Sequence, residues 1–380
     1  MSIPLTTEQQ RIAQTVDAFA DEFLEPVAAD LDRSGAYPKP IIAELAKRQL
    51  LGLTLPHAEG GFLAYVETLR RLSQTSAAVA SILNNHAAAA YAIGKWASPA
   101  QTARLLPALA NGEILAALAV HESGPGLGAG PHALRAVQTG GDIILNGTKT
   151  FVRNAGVAGL YLVFATIPVA DQSGNIAAFI VDAATLGLSV GALVQTMGLR
   201  GCPVADITFT NVSLNAAARL GTAPDGPAIL AETLAAYAIG EAAQTVGIGT
   251  AAARHAAAAA QHRVQFGHPI ATLQAIQTML ATITGDAHLA WLGIRHAAQS
   301  IDAGAPFVTE AAIVKTFLGR FGAKMLVDAI QVEGGLGICE TTPPHIPGTL
   351  PLARLFRDLA GTTLLESPDD FPEALIAAAI

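Results

Sequence analysis

Near the C-terminus a single carboxylate, Glu366, closes the apolar run Thr363-Leu364-Leu365 and stands eight residues after the pair Arg357-Asp358. Burial favours the protonated form of a carboxyl group and moves its pKa toward neutrality. A carboxylate tuned in that way can take a proton from carbon. The plain alternative is a side chain marking the solvent side of a helix end, since charged residues are mostly exposed. A second cluster, Arg263-Val264-Gln265-Phe266-Gly267 with Gln274 and Gln277, has the donors and the ring to grip a phosphate and an aromatic group. Its plain alternative is an arginine favoured at a helix end by the helix dipole. The glycine-rich stretch from Gly124 to Gly130 invites a dinucleotide reading, but a strand–turn–strand pattern follows it instead of a helix. A flexible loop beside a ligand is the better reading, because glycine lets backbone come close.

Other chemistries find little support. The 10 histidines never fall at zinc-ligand spacing and no C-x-x-C occurs, so no metal site is expected. His255 and His262 lie a helical face apart with no carboxylate at useful spacing, and are expected to be satisfied or exposed. No G-x-S-x-G elbow is present.

The elements that must position these residues are set by composition and pattern. The 380 residues are 51% hydrophobic and 14% charged, with a mean hydropathy of +0.42, yet no run of the length a spanning helix needs is free of polar breaks. Much of the apolar count is alanine, which favours helix; a large buried fraction, including oligomer interfaces, is the expected meaning. A net charge of −8 without a Lys/Arg block argues against nucleic acid as the main partner. The N-terminus does not read as a signal peptide, and two cysteines, Cys202 and Cys339, fit a reducing cytoplasmic setting. Residues 1–115 read as helical. Capping boxes are expected at Thr6 with Gln9 and at Ser98-Pro99-Ala100-Gln101. Residues 116–222 read as β. Asn146-Gly147 signals a hairpin turn, Gln172-Ser173-Gly174-Asn175 another turn, and a phase slip between Phe209 and Val212 a bulge. Residues 223–380 read as helical again. Helices, an inserted β-domain, then a helical bundle make an α+β multilayer fold.

Six motifs in order over roughly residues 8–370 resemble those of the acyl-CoA dehydrogenase family. They are Pro56-His57-Ala58-Glu59-Gly60-Gly61, Leu145 to Phe151, Met197-Gly198-Leu199-Arg200-Gly201, Arg263 to Gln274, Gln331 to Gly337, and Arg357-Asp358 with Glu366. The resemblance implies a helical domain, a middle β-sandwich or barrel and a C-terminal four-helix bundle. It implies FAD, an acyl-CoA or related acyl thioester as substrate, and an electron-transfer flavoprotein as acceptor. It also implies a homotetramer or dimer, with heteromeric forms known in the family. By position, Glu366 is implied as the base that removes an α-proton while the β-hydride passes to flavin. His121, Phe151, Arg153, Arg263, Phe266, Gln274, Gln331, Gly334 and Gly335 are implied at the cofactor, the hairpin and glycine-rich residues serving the neighbouring subunit's FAD. Leu127 and Leu365 are implied at the substrate.

The departures from the family pattern cluster at the flavin. His121 stands where a threonine is usual, Leu127 where a serine is usual, Phe151 where a tryptophan is usual, and Ala238 where an arginine is common. Ser367-Pro368 replaces Gly-Thr, and Arg153 replaces a hydroxyl residue. Arg153 therefore admits two readings: a cation favouring reduced flavin, or an ion pair with Glu366 that lowers the carboxylate pKa and spoils the base. The first leads to a working dehydrogenase. The second leads to a non-catalytic or flavin-poor subunit of a heteromeric enzyme. A flavin oxidase or monooxygenase of the same fold is a third reading, against which Glu366 counts.

Overall fold

A computed structural model describes residues 4–123, 132–169, 172–341, 351–363 and 376–377. Glu366, Leu127, Leu365 and the Ser367-Pro368 pair lie outside the described residues.

The first layer is helical: α1 (Thr7–Phe19), α2 (Ala28–Ser34), α3 (Lys39–Lys47), α4 (Gly61–Thr75), α5 (Ala77–Trp96) and α6 (Pro99–Ala110). Both expected capping boxes form. Thr6 Oγ1 accepts from Gln9 N and Gln9 Oε1 accepts from Thr6 N; Ser98 and Gln101 repeat the exchange, with Pro99 in the first turn. Each box satisfies helix-end N–H groups that have no partner inside the helix.

The second layer is one sheet: β1 (Ala116–Ala119), β2 (Arg135–Thr139), β3 (Asp142–Arg153), β4 (Leu160–Val169), β5 (Gln172–Asp182), β6 (Leu188–Val190), β7 (Val204–Asn215) and β8 (Arg219–Leu220). Its order is β6-β7-β3-β2-β4-β5-β8, with β1 also paired to β4. The β4 pairings to β1 and β2 are parallel and the others antiparallel.

Two expected turns are strand interior instead. Thr139 already pairs with Asp142, so the β2–β3 turn is Gly140-Gly141, and Asn146-Gly147 lies within β3. Gly147 (φ +140°) is glycine because a Cβ there would sit 2.9 Å from Leu134 Cα. The Asn146 amide serves a bulge on the neighbouring strand: its Oδ1 accepts from Asn211 N (2.8 Å) and its Nδ2 donates to Asn211 Oδ1 (3.1 Å). That bulge, at Asn211 (φ +51°), is the one the phase slip announces. Gln172 to Asn175 likewise belong to β5, pairing from Val169↔Gln172 to Ile167↔Asn175.

The third layer begins with the long α7 (Gly226–His262). A hairpin of β9 (Val264–Gln265) and β10 (His268–Pro269) follows, then α8 (Gln274–Asp302), α9 (Val308–Glu333) and α10 (Leu352–Thr363). Helix α7 packs on α4 and α5 through polar contacts set in an alanine-rich core: Ser81 Oγ donates to Gln244 Oε1 (2.7 Å) and Asn84 Nδ2 to Tyr237 O (3.3 Å). Among the described residues, no helix is long and apolar enough to cross a membrane.

Candidate active site

In β3, Lys149 pairs with Ile207 of β7 and Val152 with Ala205, so β3 carries one extra residue between them. Phe151 sits at this bulge with φ +51° and donates its N–H to Asp206 Oδ1 (3.1 Å). Its neighbours Thr150 and Val152 are buried, whereas Phe151 is 49% exposed. Bulges re-aim side chains, and a positive φ at a bulky residue persists only where its surroundings impose it. Phe151 is the shared wall of two cavities. One, of about 280 Å³, is lined also by Arg153, Thr196, Met197, Gly198, Ala360 and Gly361. The other is a narrow crevice lined by Asn85, Leu118, His121, Leu234 and Tyr237. His121 is anchored through its carbonyl, which accepts from Thr150 N (2.9 Å).

Arg153, two residues past the bulge, is buried and points into the helical layer. Its Nη2 donates to Gly361 O (2.8 Å), and the guanidinium lies 3.8 Å from Glu241 Oε1. Lys315 Nζ bonds the other Glu241 oxygen (2.7 Å) and Thr362 O (3.0 Å). Glu241 and Lys315 escape motif reading. The available signal is that Glu241 is the one charged residue between Glu232 and Arg254 in an alanine-rich helix.

Helix α10 is docked by backbone contact. A Cβ on Gly198 would sit 1.9 Å from Arg357 O, and one on Gly361 would sit 2.6 Å from Leu199 Cδ1. Asp358, fully buried, accepts from Leu199 N (2.6 Å); burial pushes its carboxyl up to about 6 although this N–H pulls the other way. Arg357 makes two bonds to Asp32 (2.9 and 2.6 Å) and one to Met197 O (3.0 Å). The Met197–Gly201 and Arg357-Asp358 motifs are thus two halves of one contact.

A third anchor flanks the glycine-rich stretch. Lys149 Nζ donates to Glu122 Oε1 (2.7 Å), Val120 O (3.0 Å) and His132 Nδ1 (3.0 Å), and Glu122 accepts from the N–H groups of Ala133 and Leu134. Burial pulls the Lys149 ammonium down to about 8 despite Glu122. Burial, with the Lys149 charge, takes the His132 imidazole to about 4, so it accepts as a neutral ring.

The remaining sequence candidates gather elsewhere. Arg263 Nη1 donates to Glu333 O (2.8 Å) and approaches Gly334 (φ +67°), joining the end of α7 to the end of α9. Phe266, at the hairpin turn with φ +54°, is 89% exposed. Gln274 opens α8 and Gln331 lies on the last turn of α9, both exposed. Around Gly335 a Cβ would meet nothing within 4 Å. His255 is satisfied as expected, by a carboxylate from another helix: its Nε2 lies 2.7 Å from Glu333 Oε1. The pairing crosses two helices, so sequence spacing along one of them could not reveal it.

Three family models match the chain in order: the acyl-CoA dehydrogenase N-terminal domain over residues 6–113, the middle domain over 117–212 and the C-terminal domain over 225–380. An acyl-CoA dehydrogenase of Bacillus subtilis (strain 168) is 33% identical, the match covering 98% of each chain. An acryloyl-CoA reductase (NADH) of Anaerotignum propionicum is 32% identical over 99% of this chain and 95% of its own. The solved butyryl-CoA dehydrogenase of Megasphaera elsdenii superposes with a TM-score of 0.93 at 29% identity, covering 100% of this chain and 99% of that one.

Proposed function

We propose, since this chain belongs to the acyl-CoA dehydrogenase family, that it is an FAD-dependent oxidoreductase that desaturates an acyl-CoA between its α and β carbons. The observation that carries the reading is the bulge at Phe151. It holds an aromatic ring half exposed beside a cavity lined also by the Thr196–Gly198 segment and by Arg357, Ala360 and Gly361 of α10, and Glu366 follows Thr363 by three residues in sequence.

The residues present fit FAD. Phe151 would offer a planar ring an aromatic wall, the place a tryptophan usually takes. Gly335 keeps open a place where backbone can approach a ligand, since none of the described residues would meet a Cβ there. Arg263 offers a planar donor set for phosphate beside Gly334; Gln274 and Gln331 are proposed at the same cofactor, and Phe266, 89% exposed, would offer it a wall. When bound, FAD supplies the acceptor for the β-hydride.

The chain's own groups do the rest. Glu366 takes the α-proton, which a carboxylate can do only if hydrogen bonds hold the negative charge developing on the thioester oxygen. Leu127 and Leu365 are proposed at the substrate, Leu127 in the place where a serine usually helps hold CoA. His121 stands beside the cofactor through the crevice it lines. Arg153 makes contacts of its own with Glu241 and Gly361 O, and we assign it to the wall of the cofactor cavity. An electron-transfer flavoprotein is the proposed acceptor, a homotetramer or dimer the proposed assembly, and the cytoplasm the proposed location.

The test is spectroscopic. The purified protein should be yellow and should bleach with butyryl-CoA. Glu366→Gln should stay yellow and bleach about 10²–10⁴-fold more slowly. Bleaching at the wild-type rate would mean the base is another group. A colourless protein that cannot be reconstituted with FAD would favour the flavin-poor subunit.

A further inference from the structure

We infer that Glu241 is a positioning residue which, through Arg153 and Lys315, fixes the turn of α10 at Gly361 and Thr362 against the strand that carries Phe151. The inference deepens the reading above and rests on Glu366 as the base.

Two carbonyls of α10 are met by buried cations: Arg153 from β3 takes Gly361 O, and Lys315 from α9 takes Thr362 O. A buried cation is tolerable only when paired. Glu241 of α7 pairs with both, at 2.7 Å from Lys315 and 3.8 Å from Arg153. One turn further along α7, Thr245 Oγ1 lies 3.1 Å from Thr362 Oγ1. Three elements therefore converge on one turn of α10, and the charges among them are almost wholly excluded from water. Arg153 belongs to the same strand as Phe151 and stands two residues from it, and Ala360 and Gly361 line the same cavity. Displacing this turn changes the distance between these two linings of the cavity, and misplacement by about 1 Å can cost on the order of 10²-fold in rate.

The full-length protein as purified is compared with Glu241→Gln and Glu241→Asp, reading two quantities. The first is hydrogen exchange of the amides in α10. The second is kcat and KM for butyryl-CoA with an artificial electron acceptor. In Glu241→Gln the amides around Gly361 and Thr362 should exchange at least about tenfold faster, and kcat should fall about 10–100-fold with KM within about threefold. Glu241→Asp, which keeps the buried anion, should lose much less of both. If Glu241→Gln does not fold, Thr245→Val makes the same comparison with a smaller, same-direction change. Unchanged exchange would overturn the clamp, and faster exchange with wild-type kcat would overturn its positioning role. A wild type inert to acyl-CoA thioesters of short, medium and long chain alike would sink the desaturase reading, leaving exchange to decide the clamp.

Discussion

Asp358 was visible in the sequence as half of a motif, but its task was not. The spacing to Glu366 drew attention to catalysis, whereas the side chain caps the Leu199 N–H from a fully buried position. Its carboxyl rises from 3.8 to about 6 mainly through burial. The sign follows directly: the folded state holds this proton more tightly than the unfolded chain. The contribution is fully present below the unfolded value and is lost as pH rises through about 6, by about 3 kcal/mol at most. Asp358→Asn keeps an acceptor for the Leu199 N–H and cannot titrate. Its stability relative to wild type, from denaturant melts, should therefore grow between about pH 4 and 6.5 and level off above; a flat difference would show that Asp358 is not perturbed. Arg153 shows the other limit of single-residue reading. Sequence offered it a flavin or Glu366 as partner, and its Glu241 contact, 88 residues away in the chain, was written in neither motif.

At the scale of elements, what could be read locally was read well. Thr6 with Gln9 and Ser98 with Gln101 cap their helices because a capping box involves residues three apart and little else. Asn146-Gly147 failed as a turn for the converse reason. The same dipeptide that suits a type I′ turn also suits a strand that must pass close to Leu134 and bridge a bulge on its neighbour, and that neighbour is more than 60 residues away. The docking of α10 is equally long-range and gives a sharp contrast between two glycines. Gly198→Ala would put a methyl group 1.9 Å from Arg357 O and 2.5 Å from Asp358 N, backbone atoms that cannot swing aside. It should destabilise by at least about 1–3 kcal/mol, the usual range for overpacking, visible as a lower melting temperature. Gly335→Ala meets nothing within 4 Å. It should leave the melting of the FAD-free protein unchanged and weaken FAD binding, measured by flavin retention on dilution. Equal effects of the two on melting would mean that Gly335 is needed by the fold rather than by the cofactor.

For the whole molecule, the low charge and high apolar content are matched by exposed apolar side chains on the C-terminal bundle: Leu289 and Leu292 on α8, and Ile313, Phe321 and Val327 on α9. These side chains are the part of the bundle we propose for contact between copies. The proposed cofactor contacts fall into two groups, and α9 measures their separation. Lys315 belongs to the Phe151 and Arg153 end, while Glu333 with Gly334 belongs to the Arg263 and Phe266 end. The 18 residues between them span about 27 Å at the helical rise. We propose that the cofactor is held between two copies, one chain's hairpin reaching the other's cavity, which would account for a phenylalanine left 89% exposed on a strained turn. Phe266→Ala removes that ring without touching any core contact. Its sedimentation coefficient should match that of wild type, at a multiple of the 38.9 kDa chain. Its FAD affinity should fall about tenfold, a loss of about 1.4 kcal/mol, within the range for one aromatic contact. A monomer that holds FAD as tightly as the wild type would show that one chain makes a complete site and that Phe266 serves something else.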